Sequence, residues 1–254
     1  MASDNFTKGY VSVNGLEMYY EIHGEGQPLV LVHGAFSAIG TSFGKLLPGL
    51  SKTRKVVAFE LQGHGHTADV DRPLSLEFMA DDVAAGIQAL DLEPADLFGY
   101  SMGASVALQT VIRHPEVLRK LVFASSTYTI EGIQPGLMEN LGSMKPEMMH
   151  GSPWHEEYMR IAPHPEDFNK LFAKKMQMDR QIKDIPAEAI QAITAPTLII
   201  IGDSDLVRAL NMRWRCFGSW VAACLATHRL DFQILNLPFC PVLLTSWLQI
   251  VPNC

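Results

Sequence analysis

A serine between two glycines is the first feature of this sequence that could do chemistry. Ser101 lies in the pentapeptide G-Y-S-M-G (99–103), which follows a strand-like run (95–98) and opens a helix-like run (104–109). This context is typical of a nucleophile elbow, a sharp turn that exposes the serine hydroxyl at its tip. Glycines let the strand and helix crowd together, and the helix N-terminus favours the negative charge that develops when a hydroxyl attacks a carbonyl. The alternative is an ordinary glycine-rich turn.

Other chemical side chains lie where predicted strands end. His33 closes the apolar run 28–33, and two acids, Asp203 and Asp205, follow the apolar run 196–201. A serine is a weak nucleophile unless a general base activates it, and an acid can orient that base. Because parallel strands present their carboxyl ends at one edge of a sheet, we expect these side chains at the same edge as Ser101.

Strand-like and helix-like stretches alternate along the chain. Residues 10–23 predict a β-hairpin around the turn Asn14–Gly15. Short continuous apolar runs predict strands covered on both faces; they are 28–33, 55–61, 95–98, 120–124 and 196–201. Helices are predicted over 42–50, 75–90 and 104–114. The alternation predicts an α/β fold with a mainly parallel sheet and helices on both faces.

Methionines and proline breaks are concentrated between residues 128 and 192, where the sequence is helical and charged. We predict a helical cap insertion over 128–192, between a first part of the core (1–127) and a second part (193–254). Methionine suits an adaptable apolar wall around a substrate, and plain core packing explains these residues equally well.

Composition limits the classes of function. The chain has 254 residues, of which 48% are hydrophobic, and this suits one α/β domain with an insertion. A net charge of −7 argues against nucleic acid or an anionic membrane surface as partners. No run suits a membrane span and the first five residues do not resemble a signal peptide, so we expect a cytoplasmic protein. The cysteine spacings match no zinc or redox motif, and we expect no metal or cofactor.

Five motifs together resemble the α/β-hydrolase fold family, on its esterase and haloperoxidase-like branch. They are L-V-L-V-H-G-A (29–35), E-L-Q-G-H-G-H-T (60–67), the elbow (99–103), R-H-P-E-V-L-R-K-L-V (113–122) and A-P-T-L-I-I-I-G-D-S-D (195–205). The resemblance implies an α/β-hydrolase fold and acyl-enzyme chemistry on a small ester, lactone or similar acyl substrate. The serine nucleophile disfavours the dehalogenase and epoxide-hydrolase branches, whose elbow carries aspartate.

The resemblance also implies roles for single residues. Ala35 and Met102 would supply the two backbone amides of the oxyanion hole. By the family's G-x-x-D spacing the acid is Asp205, with Asp203 as the runner-up. His33 is interpreted as a structural histidine that orients the oxyanion loop.

The sequence departs from the family's pattern at the general base. The family places a histidine in a G-x-x-H-like loop after its last strand, and only His228 follows Asp205. Neither the glycine nor the expected strand is evident before His228, and the alternative is a surface histidine. His64 and His66 are predicted to lie in a turn, and their spacing alone does not make a metal site.

The tail over residues 209–254 differs in character from the rest of the chain. It contains a single acid, no lysine, a single glycine and all four cysteines. Permissible codons read two bases later encode an amphipathic helix and, near 241–247, the histidine loop L-P-G-T-S-H. We hypothesise that the tail is a frameshift product that lost the catalytic histidine, with reduced stability and an exposed sheet edge.

Three functions follow from these observations. The first is a serine hydrolase of the family. The second is a non-catalytic relative that binds a small apolar ligand beneath the helical insertion. The third is a defective gene product. The sequence leaves the substrate and the oligomeric state open.

Overall fold

The computed structural model describes residues 6–202, 205–207 and 221–226, which form an eight-stranded sheet flanked by helices. The strands are β1 (Phe6–Val13), β2 (Leu16–His23), β3 (Pro28–Val32), β4 (Lys55–Phe59), β5 (Ala95–Tyr100), β6 (Leu118–Ala124), β7 (Thr197–Gly202) and β8 (Val221–Ala226). The helices are α1 (Ile39–Phe43), α2 (Leu47–Leu50), α3 (Leu76–Ala89), α4 (Met102–Arg113), α5 (Leu137–Ser143), α6 (Pro153–Ile161), α7 (Phe168–Asp179) and α8 (Ala187–Gln191). Short 3-10 turns lie at Pro115–Val117, Ile130–Gly132, Pro146–Met149 and Pro165–Asp167.

The sheet is mainly parallel and has the order β1-β2-β4-β3-β5-β6-β7-β8. β1 and β2 form the predicted antiparallel hairpin, with positive φ of 48° at Asn14 and 80° at Gly15. β2 is also antiparallel to β4, and the remaining neighbours are parallel. The predicted α/β class is therefore confirmed.

One predicted helix is two short helices in the structure. The sequence predicts a helix over 42–50, whereas α1 ends at Phe43 and α2 begins at Leu47. Gly44 follows α1 directly and Pro48 lies in the first turn of α2. Glycine weakens a helix interior and proline is favoured in a first turn, so the break follows from these two residues.

Side chains of the sheet alternate between two apolar layers. On β5, Leu97 packs in the layer that contains α3 and α4, while Phe98 packs in the layer that contains α1 and α2. Phe43 of α1 contacts Phe98 with ring centroids 5.6 Å apart. Burial on both faces explains why these strands are continuous apolar runs in the sequence.

The stretch between β6 and β7 (residues 125–196), here called the helical segment, carries α5 to α8. On α6, the Glu157 carboxylate accepts a hydrogen bond from the Thr41 N–H at 3.0 Å. On α7, Lys174 Nζ donates to the two carboxylate oxygens of Asp69 at 2.9 and 2.8 Å. These contacts hold α6 and α7 against the regions that follow β3 and β4. The predicted domain boundaries remain predictions.

The strand β8 corrects the expectation that the tail lacks the family's last strand. It pairs in parallel with β7 from Thr197↔Val221 to Gly202↔Ala226. Its sequence V-A-A-C-L-A is a continuous apolar run, the pattern of a strand covered on both faces, so it can extend a parallel sheet despite the altered composition around it. The edge of β7 is therefore paired and not exposed.

A buried ion cluster lies at the amino end of β5. Asp96 is fully buried and accepts hydrogen bonds from Arg54 and from Arg119, whose Nε lies 2.8 Å from the carboxylate. The guanidinium groups compensate the charge that burial would otherwise penalise.

Within the ranges described, no helix is long and apolar enough to cross a membrane.

Candidate active site

Ser101 lies at the turn from β5 into α4, with φ 54° and ψ −121°. Positive φ is uncommon for a residue with a side chain and persists only where the surroundings hold it. The Ser101 N–H donates to the carbonyl of Ala124 on β6 at 2.9 Å, and the Ser101 carbonyl accepts from the Ala104 N–H at 2.9 Å. The result is the strained strand-to-helix geometry of a nucleophile elbow.

The two glycines of the elbow are required by close approach of the backbone. A Cβ at Gly99 would overlap the backbone of Gly103. A Cβ at Gly103 would overlap the carbonyl groups of Val32 and His33 at the end of β3. The first turn of α4 therefore packs directly on the loop that leaves β3.

Two unpaired backbone N–H groups lie beside the serine. A Cβ built on Gly34 would be 3.4 Å from Ser101 Cβ, so the β3–α1 loop (residues 33–38) runs against the elbow. Ala35 follows Gly34 in this loop, and Met102 is the first residue of α4. Among the described residues, neither the Ala35 N–H nor the Met102 N–H has a hydrogen-bond acceptor. Such donors can stabilise an oxyanion formed at Ser101.

His33 is wholly buried and holds the start of the β3–α1 loop. Its Nδ1 lies 2.7 Å from the Gly34 carbonyl oxygen, and its Nε2 lies 3.0 Å from the backbone nitrogen of Leu61. Nε2 must accept from the Leu61 N–H, so Nδ1 carries the proton and donates to Gly34. Burial lowers the pKa of His33 and favours this neutral form. With both nitrogens engaged, His33 is the structural histidine that the sequence predicts.

Phe36, in the β3–α1 loop, is strained as Ser101 is, with φ 57°. Its ring stacks on Phe172 of α7, with centroids 5.4 Å apart and an interplanar angle of 18°. Lys175 Nζ lies 6.0 Å from the centre of the same ring. Sequence reasoning missed this residue because nothing in a phenylalanine indicates positive φ or a partner 136 positions away.

Asp205 follows the carboxyl end of β7, at the same edge of the sheet as Ser101. Its N–H donates to the Gly202 carbonyl at 3.2 Å, and its Oδ2 accepts from the Gly202 N–H at 3.4 Å. Gln134 of the helical segment donates through its side-chain amide to the Asp205 carbonyl oxygen at 2.9 Å. Burial, with the nearby charge of Asp205, raises the pKa of Tyr100, the residue before Ser101.

The glycine-rich turn after β4 holds two histidines in different surroundings. His64 is fully buried, and its Nδ1 lies 2.9 Å from the Gln62 carbonyl oxygen. Its Nε2 has no hydrogen-bond partner among the residues that the structure describes. Burial lowers the pKa of His64 to about 3. His66 Nδ1 lies 2.9 Å from the buried carboxylate of Glu60. Within the described part of the chain, no group of three or more His, Cys, Asp or Glu residues could hold a metal ion.

The third member of the expected triad is not among the described residues. Asp203 and His228 both lie outside them. In the described part, Ser101 Oγ has no hydrogen-bond partner. The structure thus brings Ser101, Asp205 and the N–H groups of Ala35 and Met102 to one edge of the sheet.

Comparison with known proteins agrees with this architecture. A model of the alpha/beta hydrolase fold family matches residues 27–187, from β3 to the start of α8, and includes the elbow. The chain belongs to this family. It is similar to 2-hydroxymuconate semialdehyde hydrolase of Pseudomonas sp. (strain CF600), with 36% identity over 120 residues, which are 45% of this chain and 41% of that protein.

Two further relatives extend the comparison. Pyrrolizixenacetamide deacetylase of Xenorhabdus hominickii is 34% identical over 112 residues, 44% of this chain and 42% of that protein. Serine hydrolase BPHL of Homo sapiens is 27% identical over 212 residues, 78% of this chain and 70% of that protein. The chain therefore aligns with less than half the length of the first two relatives and with more of the third.

Solved structures with low sequence identity share the fold. A serine hydrolase involved in carbazole degradation (CarC enzyme) has a TM-score of 0.75 at 20% identity and covers 96% of this chain and 99% of its own. E-2-(Acetamidomethylene)succinate hydrolase has a TM-score of 0.75 at 21% identity and covers 96% of this chain and 100% of its own. At this level of identity the likeness concerns the fold alone.

Proposed function

We propose that this protein is a serine hydrolase that cleaves a small ester, lactone or similar acyl compound through an acyl-enzyme on Ser101. The observation that carries the proposal is the strained elbow serine with two unpaired backbone N–H groups beside it. A turn that stores strain to present a hydroxyl is typical of a nucleophile. The hydrolases among its relatives support the same class of reaction.

The chemistry assigns a task to each group. Ser101 Oγ attacks the carbonyl carbon of the substrate while a base takes its proton, and the carbonyl oxygen becomes an oxyanion that accepts from the Ala35 and Met102 N–H groups. Collapse expels the alcohol, which receives the proton, and leaves the acyl group on Ser101. Water then attacks the acyl-enzyme by the same route and releases the acid.

For the base we propose His228, oriented by Asp205. Gly202 and Ala226 are paired residues at the carboxyl ends of β7 and β8. In the sequence, Asp205 follows Gly202 by three residues and His228 follows Ala226 by two residues. Because β7 and β8 are parallel neighbours, their carboxyl ends lie at the same edge of the sheet, the edge at which the triad must assemble.

A small apolar acyl group fits the apolar surroundings of the site. Phe36, Phe168 and Phe172 pack together where α7 meets the β3–α1 loop. Apolar walls with a few placed polar groups are typical of small-molecule sites. We propose no cofactor and no macromolecular partner, and the proposed location remains cytoplasmic.

Turnover of p-nitrophenyl acetate tests the proposal, with the full chain compared against Ser101→Ala and His228→Ala. We expect both variants to lose at least about a hundredfold in kcat, because nucleophile and base act as a unit. Gln109→Ala, on the outward side of α4, is a control that should leave turnover unchanged.

Equal turnover by the full chain and Ser101→Ala would refute hydrolysis through the serine. A fluorophosphonate that fails to label Ser101 would then favour the non-catalytic ligand binder. A loss confined to Ser101→Ala would exclude His228 as the base and keep the serine.

A further inference from the structure

Phe36 has a backbone conformation that its side chain disfavours. Its φ of 57° lies in the left-handed region, where a bulky residue is a true outlier. Such a conformation persists only when the surrounding structure over-determines it, and it is found most often at functional sites. Relaxation of Phe36 would move the Ala35–Phe36 peptide and with it the backbone of Ala35, whose own N–H, in the preceding peptide, lies beside Ser101.

Hydrogen bonds of the β3–α1 loop restrain the backbone on both sides of Phe36. Ser37 Oγ donates to the Gly34 carbonyl at 2.8 Å, the Ala38 N–H donates to Thr41 Oγ1 at 3.0 Å, and the Ile39 N–H donates to a Glu60 carboxylate oxygen at 3.2 Å. These bonds fix the two ends of the loop. They leave the conformation at Phe36 itself to be set by contacts of its side chain.

Those contacts come from the helical segment. Phe172 of α7 is buried and stacks almost parallel on the Phe36 ring at 5.4 Å, while Phe168, one turn earlier, lies 6.3 Å away. Lys175 Nζ lies 6.0 Å from the ring, and its charge is held by Asp179 at 2.6 Å. These aromatic and cation–π contacts to Phe36 come from one face of α7, which Lys174 joins to the core through Asp69.

We propose that α7 holds the β3–α1 loop in its strained conformation by packing against the Phe36 ring, a contact here called the grip. The grip thereby orients the Ala35 N–H towards the oxyanion. Phe36 and Phe172 are then positioning residues. This inference rests on the proposed function for the role of Ala35, whereas the grip on the loop can be measured without any turnover.

Two alanine variants on α7 separate this grip from a general loosening of the helix. Phe172→Ala removes the ring that stacks on Phe36. Leu171→Ala is the matched control, because Leu171 is equally buried on α7 but lies towards Gly63, where a built Cβ would be 3.3 Å from Leu171 Cδ1. Both substitutions leave a cavity of similar kind under the same helix.

Amide hydrogen exchange of the loop gives the first readout. The Gly34, Ala38 and Ile39 amides are hydrogen-bonded and report opening of the loop. In Phe172→Ala we expect their exchange to be about fivefold faster, which corresponds to about 1 kcal/mol and lies within the range for an aromatic pair. In Leu171→Ala we expect no change. Equal exchange in the two variants overturns the proposal.

Glycine at position 36 gives a second, independent test. Phe36→Gly adopts positive φ without strain, so the loop should no longer depend on α7. We expect Phe36→Gly and Phe36→Gly/Phe172→Ala to exchange at the same rate. If removal of Phe172 still accelerates exchange in the glycine background, the grip does not act through Phe36 and the proposal is wrong.

Kinetics distinguish positioning from substrate binding. We expect Phe172→Ala to lower kcat for p-nitrophenyl acetate about tenfold with KM unchanged, because the oxyanion contact is made in the transition state. An unchanged kcat together with faster loop exchange overturns the positioning role. If the full chain shows no Ser101-dependent turnover, the proposed function fails, and the exchange data alone decide whether α7 holds the loop.

Discussion

Alanine at Gly103 would test the packing of the elbow with a single methyl group. Its Cβ would overlap the carbonyl groups of Val32 and His33. Both are backbone groups at the end of β3, so no flexible side chain can yield, and either α4 or the strand end must shift. Overpacking at a rigid site costs about 1–3 kcal/mol, and alanine regains up to about 1 kcal/mol over glycine within a helix. We expect Gly103→Ala to lower the free energy of unfolding by about 1–2 kcal/mol.

Urea unfolding measures this loss, and Gly142→Ala on α5 is the matched control. A Cβ at Gly142 meets nothing within 4 Å, so the same substitution should keep or raise stability. The shift at Gly103 also displaces the Met102 N–H, and we expect Ser101-dependent turnover to fall about a hundredfold. A Gly103→Ala variant as stable as the wild type would refute the contact between α4 and the end of β3.

Three further predictions concern stability and the tail. Asp96→Ala removes the carboxylate of a buried ion cluster and should lower the free energy of unfolding, measured with urea, by about 3–5 kcal/mol. Asp81→Ala, at a part-exposed ion pair, should lower it by at most about 1 kcal/mol. Similar losses in the two variants would contradict the difference in burial as the cause. Because the pKa of His64 is lowered to about 3, only the unfolded chain binds its proton between that value and 6.5. His64 should therefore contribute about 2 kcal/mol to a fall in stability from pH 7.5 to pH 5. His64→Phe should remove that contribution and leave the part due to His33, whose pKa burial also lowers; an equal fall in the variant and the wild type would exclude a contribution from His64. The frameshift hypothesis is the alternative to a role of His228 as the base: it expects the nucleotides that encode residues 209–254 to encode a histidine loop two bases out of frame, and their failure to do so ends it.

The elbow could be predicted because its constraints are local. Gly99 and Gly103 are needed where strand and helix meet, and Ser101 sits between them in five consecutive letters. The same holds for the Asn14–Gly15 hairpin. In each case the residue types that a turn requires are adjacent in the sequence, and at the hairpin the positive φ values of Asn14 and Gly15 match them.

Features that depend on distant partners could not be predicted in this way. The strain at Phe36 is held by Phe172, and the carbonyl oxygen of Asp205 is bonded by Gln134 from another part of the chain. The strand β8 could not be predicted for a different reason, since its run of six apolar residues lies in a tail of unusual composition. Pairing with β7, and not local propensity, makes that run a strand.

Polar contacts hold the helical segment against the core, and they limit how such a segment could be exchanged between relatives. Glu157 bonds the backbone of α1, Lys174 bonds Asp69 after β4, and Gln134 bonds the stretch that carries Asp205. Each of these three side chains belongs to the helical segment, while its hydrogen-bond partner belongs to the core. A transplanted segment would therefore need equivalents of these side chains to make the same polar contacts with the core of a new host.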